Sequence, residues 1–127
     1  MAAIICDIDD TLLAAGTRPI RKTIDWINAR AGNYRIILVT GRPASQRAAT
    51  TRALRAAGVR YNRLIMNPGS TAQSNEYKFE VGKRLKASTT VVLAIDNNAG
   101  ARSSYKKAGI KSIHPSQLTD NMLKFAF

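Results

Sequence analysis

A three-layer, doubly wound α/β fold, with about five parallel strands between helices, is what this sequence predicts. Three observations carry the prediction. Short apolar runs of strand length alternate with helix-length segments from one end of the chain to the other. Gly32, Gly58 and Gly109 stand where the helical segments stop. Three of the apolar runs end in polar groups, at Asp7, Thr40 and Asp96.

Each element has its own reason. Residues 2–8 are a continuous apolar run ending in acids, the pattern of a strand buried on both faces. Residues 9–16 read as a turn containing Gly16. Pro19 suits the first turn of a helix, in which Ile20, Ile24, Ile27 and Ala31 share one face before Gly32-Asn33 stops it. Residues 34–40 hold the clearest strand, and Gly41-Arg42-Pro43 turns the chain. A helix over 45–57, a weaker strand over 60–66 and a loop over 67–75 follow. Next come a helix over 76–86, a strand over 89–95, a helix over 101–108 and a short fifth strand over 111–114. Pro115 breaks that strand, and the last dozen residues read as a small helix or a tail.

At 127 residues the expectation is one domain over 1–127, with no internal repeat or linker. Hydrophobic residues at 45% and charged ones at 22% suit a globular chain and exclude disorder as a global description. Apolar runs such as 36–39 and 91–95 are too short to cross a bilayer, so no membrane association is expected. No basic leader precedes the first apolar run, which predicts no signal peptide. Cys6 is the single cysteine, which excludes an intramolecular disulfide and suits a reducing, cytoplasmic location.

Twenty Lys and Arg oppose eight Asp and Glu, a net charge of +12. Four of the eight acids are Asp7, Asp9, Asp10 and Asp96, all at predicted strand ends, so the remaining surface is almost purely cationic. Such a field attracts polyanions, nucleic acid first; the plainer reading is a basic protein with no polyanion partner. Arg47, Arg52 and Arg55 share one face of their helix and Ala49, Ala53 and Ala57 the other. That arginine face is either simply solvated or a track for a phosphate backbone. The few tyrosines are scattered and form no stacking platform.

In a doubly wound sheet the site lies beyond the carboxyl ends of the strands. The predicted topology therefore gathers Asp7, Asp9, Asp10, Thr40 and Asp96 at one rim, with Lys78 on the following helix. Carboxylates that close need a cation among them. An oxygen-only donor set suits Mg2+, and the single His114 and Cys6 argue against zinc. One carboxylate of the pair can attack phosphorus and the other can move the proton. Backbone N–H groups at Ile8, Asp9 and Asp10 are placed to cradle phosphoryl oxygens, Thr40 offers a hydroxyl and Lys78 a fixed charge. The plainer readings are a turn pair for Asp7 and Asp9, a solvated lysine for Lys78 with Lys83 as its substitute, and a helix N-cap for Asp96. Trp26, Cys6 and His114 read as structural.

These residues resemble the four motifs of the haloacid dehalogenase superfamily of aspartate-nucleophile phosphatases. Asp7-Ile8-Asp9-Asp10-Thr11-Leu12 is similar to the first, Leu38-Val39-Thr40-Gly41-Arg42 to the second, Lys78 to the third, and Leu93-Ala94-Ile95-Asp96-Asn97 to the fourth. The motifs arrive in family order and cover nearly the whole chain. The resemblance implies Asp7 as nucleophile, Asp9 as general acid/base, and Thr40 and Lys78 on the phosphoryl group. It implies Mg2+ held by Asp7, the backbone carbonyl of Asp9, and Asp96. Asp10, Thr11, Gly41 and Arg42 complete the expected substrate-binding set. The chain departs from the pattern at Asn97, where a second acid is common, which predicts weaker metal binding.

Only 28 residues separate Thr11 from Thr40, and 37 separate Thr40 from Lys78, too few for the cap domain that the family usually inserts. An uncapped site admits large substrates. The second half is similar to the phosphatase domain of polynucleotide kinase/phosphatases, through Val39-Thr40-Gly41-Arg42, Leu93-Ala94-Ile95-Asp96 and Lys106-Lys107-Ala108-Gly109-Ile110. It departs from that branch at Asn67 and Ser74-Asn75, and no phosphate-binding Gly-x-x-x-x-Gly-Lys motif of a kinase occurs. The expectation is an Mg2+-dependent phosphomonoesterase acting on a terminal phosphate of nucleic acid, 3′ ends favoured. Its rivals are a phosphatase of nucleotides or other small phosphomonoesters, and a nucleic-acid-binding module with little turnover.

Overall fold

A computed structural model describes residues 1–69 and 73–123. Five parallel strands form the sheet: β1 (Ala3–Cys6), β4 (Arg35–Pro43), β5 (Arg63–Asn67), β6 (Val91–Ile95) and β7 (Ser112–Ile113). Their order is β5-β4-β1-β6-β7. β1 is central, with Cys6 opposite Leu38 on one side and Ile95 on the other. The chain first steps outward through α1 (Arg21–Arg30) and α2 (Arg47–Ala56). Then α3 (Ser74–Ser88) returns it past β1 to β6, and α4 (Ala99–Lys107) leads on to β7. Right-handed crossovers in the two directions put the helix pairs on opposite faces.

Strand alternation builds the two half-cores. Ile4, Cys6, Ile36, Leu38, Leu93 and Ile95 pack with Ile24, Ile27 and Leu54 of α1 and α2. Ala3, Ile5, Ile37, Val39 and Ala94 pack with Val81 and Leu85 of α3 and Tyr105 of α4. The three-layer, doubly wound expectation is met. No cap domain interrupts the described chain.

The differences are local. The run 9–19 contains a small antiparallel hairpin, β2 (Leu13–Ala14) with β3 (Arg18–Pro19), where a turn was expected. Ala15 and Gly16 turn it, with φ of 50° and 84°. Pro19 thus ends a strand rather than opening α1, which starts at Arg21. β4 continues through Gly41-Arg42-Pro43, with a register shift after Thr40, so those residues are strand and not turn. Ser74 and Asn75 belong to α3 rather than to the loop before it. On α2, Ala49 is exposed, and Thr50, Leu54 and Ala57 form the buried face with Ala53 beside them. After β7 a short 3-10 turn over Pro115–Gln117 is capped by His114, so that histidine is structural. Trp26 is buried, donates to the Thr119 carbonyl at 2.8 Å and carries the Arg30 guanidinium 3.9 Å above its ring. Among the described residues no helix is long and apolar enough to cross a membrane.

Candidate active site

The strands stop where the site begins. Asp7 follows β1, its N–H still donating to Ile95 at 2.9 Å, so its position is fixed by the sheet. Asp96 follows β6 in the same way, donating to Ile113 at 3.1 Å. α3 delivers Lys78 between them: Nζ lies 3.1 Å from Asp7 Oδ1 and 2.6 Å from Asp96 Oδ2. Asp7, Lys78 and Asp96 are 5%, 4% and 0% exposed, so this is a buried ion triad. Burial pushes the Asp7 carboxyl up to about 7, against the pull of Lys78. Burial also opposes the charge on Lys78, but Asp7 and Asp96 more than offset it and raise its pKa.

The other side of Asp7 is polar too. Thr11 Oγ1 donates to Asp7 Oδ2 at 3.1 Å, and the Asn97 backbone N–H donates to Thr11 Oγ1 at 3.3 Å. The Asn97 carboxamide, with its nitrogen turned inward, donates to Asp7 Oδ2 at 2.9 Å and to the Asp9 carbonyl at 3.0 Å. Turned the other way, its oxygen would face only acceptors. Thr11 was expected at the substrate; it is fully buried and supports Asp7 instead.

Asp9 points outward, its side chain 49% exposed, and the Arg42 guanidinium grips it from Nε and Nη2 at 3.0 and 2.7 Å. Arg42 also donates to Thr50 Oγ1 at 3.1 Å and to the Gly16 carbonyl at 3.0 Å. All three of its nitrogens are thereby engaged, so Arg42 lies on the pocket wall as a holder of Asp9. Neither Gly16 nor Thr50 was singled out by the sequence. The hairpin and the α2 register that bring them to Arg42 carry no motif. Thr40 is fully buried, and its hydroxyl oxygen accepts the Arg42 N–H at 3.0 Å. Asp10 takes φ of 59°, and its N–H donates to Leu13 at 2.8 Å, which removes it from the expected amide cradle. Asp96 is not the cap of α4. Asn98 is, accepting from Ala101 at 2.9 Å, while Asp96 Oδ1 accepts the Asn98 N–H at 3.0 Å. Burial pushes the Cys6 thiol well above its ordinary range, so it is no nucleophile.

Asp7, Asp9, Asp10, Arg42, Lys78, Asp96 and Asn97 line an open pocket of about 860 Å³, together with Gln46, Gln73, Asn75 and Asn98, whereas Thr11 and Thr40 are not part of its lining. Those four amides carry no motif and were missed; only their places at helix starts could have marked them. Gly41 on the wall is there for space. A Cβ would meet Ser74 Cβ at 3.0 Å, at the start of α3.

Five acids line the pocket (Asp7, Asp9, Asp10, Glu76 and Asp96) against two cations, Arg42 and Lys78. An anionic substrate entering this surplus of negative charge needs a further cation with it. Among the described residues no three His, Cys, Asp or Glu side chains cluster closely enough to chelate one alone. The oxygens of Asp7, the Asp9 carbonyl and Asp96 make a hard donor set that fits Mg2+, with the Asn97 amide nitrogen donating beside them.

The sequence matches the family of haloacid dehalogenase-like hydrolases over residues 4–99. No curated protein matches it. A chain from the Pnkp1/Rnl/Hen1 RNA repair complex shares the fold with a TM-score of 0.70 at 21% identity, covering 89% of this chain and 42% of its own length. A chain from a second structure of the Pnkp1/Rnl/Hen1 complex gives 0.69 at 21% identity, with 89% and 45% covered. This chain thus spans less than half the length of either. The family match runs from β1 through the Asp96-Asn97 strand end to the first residue of α4, so it takes in all four motifs. The chain belongs to the haloacid dehalogenase-like hydrolases.

Proposed function

We propose that this hydrolase is a Mg2+-dependent phosphomonoesterase working through an aspartyl-phosphate on Asp7. One observation carries the reading: a buried carboxylate, braced by Lys78 and Thr11, stands at the floor of an open polar pocket. An Asp7 oxygen attacks phosphorus in line as the ester P–O bond breaks, and Asp9 gives its proton to the departing alkoxide. Water then attacks the same phosphorus, its proton goes to Asp9, and the P–O bond to Asp7 breaks to release phosphate. Asp9 at the half-exposed rim is suited to exchange that proton, and the Arg42 grip aims it. Lys78 holds the phosphoryl oxygens, the buried Thr40 fixes the Arg42 backbone behind them through its hydroxyl, and Asp10 and Gly41 shape the wall. Asp7, the Asp9 carbonyl and Asp96 would hold the cation, which would supply charge neutralisation at the entering phosphate.

The substrate class follows from access and charge. Among the described residues the pocket has no cap and no apolar wall to enclose a small metabolite, and the net charge of +12 draws polyanions. We therefore read the substrate as a terminal phosphate of nucleic acid, 3′ ends favoured, and the chain over 1–127 as one catalytic unit. The fold likeness to chains of an RNA repair complex supports that context. The test is a panel with Mg2+: a 3′-phosphorylated oligonucleotide, its 5′ counterpart, mononucleotides and p-nitrophenyl phosphate. Highest kcat/KM on an oligonucleotide end is expected. Equal or better turnover of mononucleotides refutes the substrate class, and no phosphate release from any of them refutes the enzyme.

A further inference from the structure

Three arginines from three elements meet at the sheet edge beside the pocket. Arg47 opens α2, next to Gln46 of the pocket wall. Arg63 opens β5, the outermost strand, and Arg84 lies two turns along α3 from Tyr77. All three are exposed. Tyr77 is the residue before Lys78 and ties α3 to β5, donating to the Met66 carbonyl at 2.7 Å. Arg47 reaches the same strand, donating to the Leu64 carbonyl at 3.2 Å. Arg63 neighbours Leu64, whose carbonyl Arg47 reaches, and Arg84 shares a face of α3 with Tyr77, so the three arginines stand on the elements that Tyr77 and Arg47 tie together. The ion pairs among the described residues join Arg21 to Asp25, Arg42 to Asp9, and Lys78 to Asp7 and Asp96; none includes these arginines.

We propose that Arg47, Arg63 and Arg84 form a ledge for the phosphodiester backbone of a nucleic-acid strand whose terminal phosphate enters the pocket. The proposal rests on the reading of the pocket as a phosphatase site and adds the path of the polymer. Three arginines that form no ion pair among the described residues favour an anion, with Glu80 one turn before Arg84 as the acid beside them, and the guanidinium fork matches phosphate. The pocket and the ledge are adjacent along two elements, through Gln46-Arg47 and through Glu76-Tyr77-Lys78. A chain leaving the pocket over β5 meets this ledge first.

The test compares two variants with the same charge loss by fluorescence anisotropy of a labelled, 3′-phosphorylated single strand. R47A/R63A/R84A removes the ledge. K106A/K107A/K111A removes three exposed charges from the opposite edge, beside β7. The ledge variant is expected to bind about tenfold more weakly and to lose about two from the slope of log K against log salt. The control is expected to lose about threefold or less. Equal losses, or an unchanged ledge variant, overturn the ledge. Competition by poly-glutamate as effective as by an oligonucleotide overturns the assignment to nucleic acid. If the triple variant does not fold, the three single variants are compared with the three single lysine variants in the same way. The two readings fail separately. Equal losses with end-phosphate hydrolysis intact sink the ledge alone, and selective loss without hydrolysis sinks the phosphatase alone.

Discussion

Replacing Lys78 with Met keeps the volume and deletes the cation that two buried carboxylates share. In the wild type, Nζ sits 2.6 Å from Asp96 and 3.1 Å from Asp7, with side-chain exposures of 5%, 0% and 7% for the three residues. Removing one member of such a buried set costs about 3–5 kcal/mol when the carboxylates are ionised. For a chain of this size that is a fall in Tm on the order of 10–20 °C. The loss depends on pH. Asp7 already sits at about 7, above its ordinary 3.8, and losing Lys78 raises it further. A carboxyl raised in the folded state binds protons that the unfolded state has released. The Asp7 contribution to stability therefore falls as pH rises from about 4 to about 7 in the wild type, and keeps falling above 7 in the variant, whose Asp7 is raised further. Thermal melts by circular dichroism in EDTA at pH 5 and pH 8 measure this. The gap between wild type and Lys78→Met should be smaller at pH 5, where Asp7 is protonated and the Asp96 contact alone is lost, and full at pH 8. A gap of the same size at both values, or no gap at pH 8, refutes the buried ion triad.

Three further outcomes follow from the same geometry. Asp7→Asn should reduce hydrolysis to background while raising Tm at pH 8 and not at pH 5, because an ionised buried carboxylate is gone. Asn97→Asp turns a donor to Asp7 and the Asp9 carbonyl into a repelling carboxylate. It should lower Tm in EDTA and tighten Mg2+ binding about tenfold by isothermal titration calorimetry. Arg30→Ala strips the chain end of a clasp: Arg30 donates to the carbonyls of Trp26, Asp120 and Met122 at 2.8–3.0 Å and stacks on Trp26. A loss of about 2–4 kcal/mol by urea unfolding is expected, with a red shift of Trp26 emission in the folded protein.

The sheet and the rim were legible because they rest on local chemistry that the sequence states directly. Apolar runs at 2–6 and 91–95 read as strands buried on both faces, and acids at their ends mark the rim that parallel topology gathers. What escaped depends on contacts between distant segments. The β2–β3 hairpin has two-residue strands, too short for any period to register. Pro19 fits a helix start and an edge strand equally well, and the hairpin decided between them. Thr11 and Arg42 were both expected at the substrate. Folding turns Thr11 onto Asp7 and Arg42 onto Asp9, because each stands beside a carboxylate in space. Arg63 and Arg84 lie on different elements, and only the packing of α3 on β5 brings them to Arg47.

Trapping the covalent intermediate tests the central claim most directly. Enzyme mixed with a phosphomonoester and Mg2+, then quenched with borohydride, reduces an acyl phosphate to the alcohol. Mass spectrometry of the digested chain then reads where it formed. The account predicts homoserine at position 7, absent when Mg2+ or substrate is withheld. Homoserine at position 9 or 96, or turnover with no reduced residue at all, contradicts it.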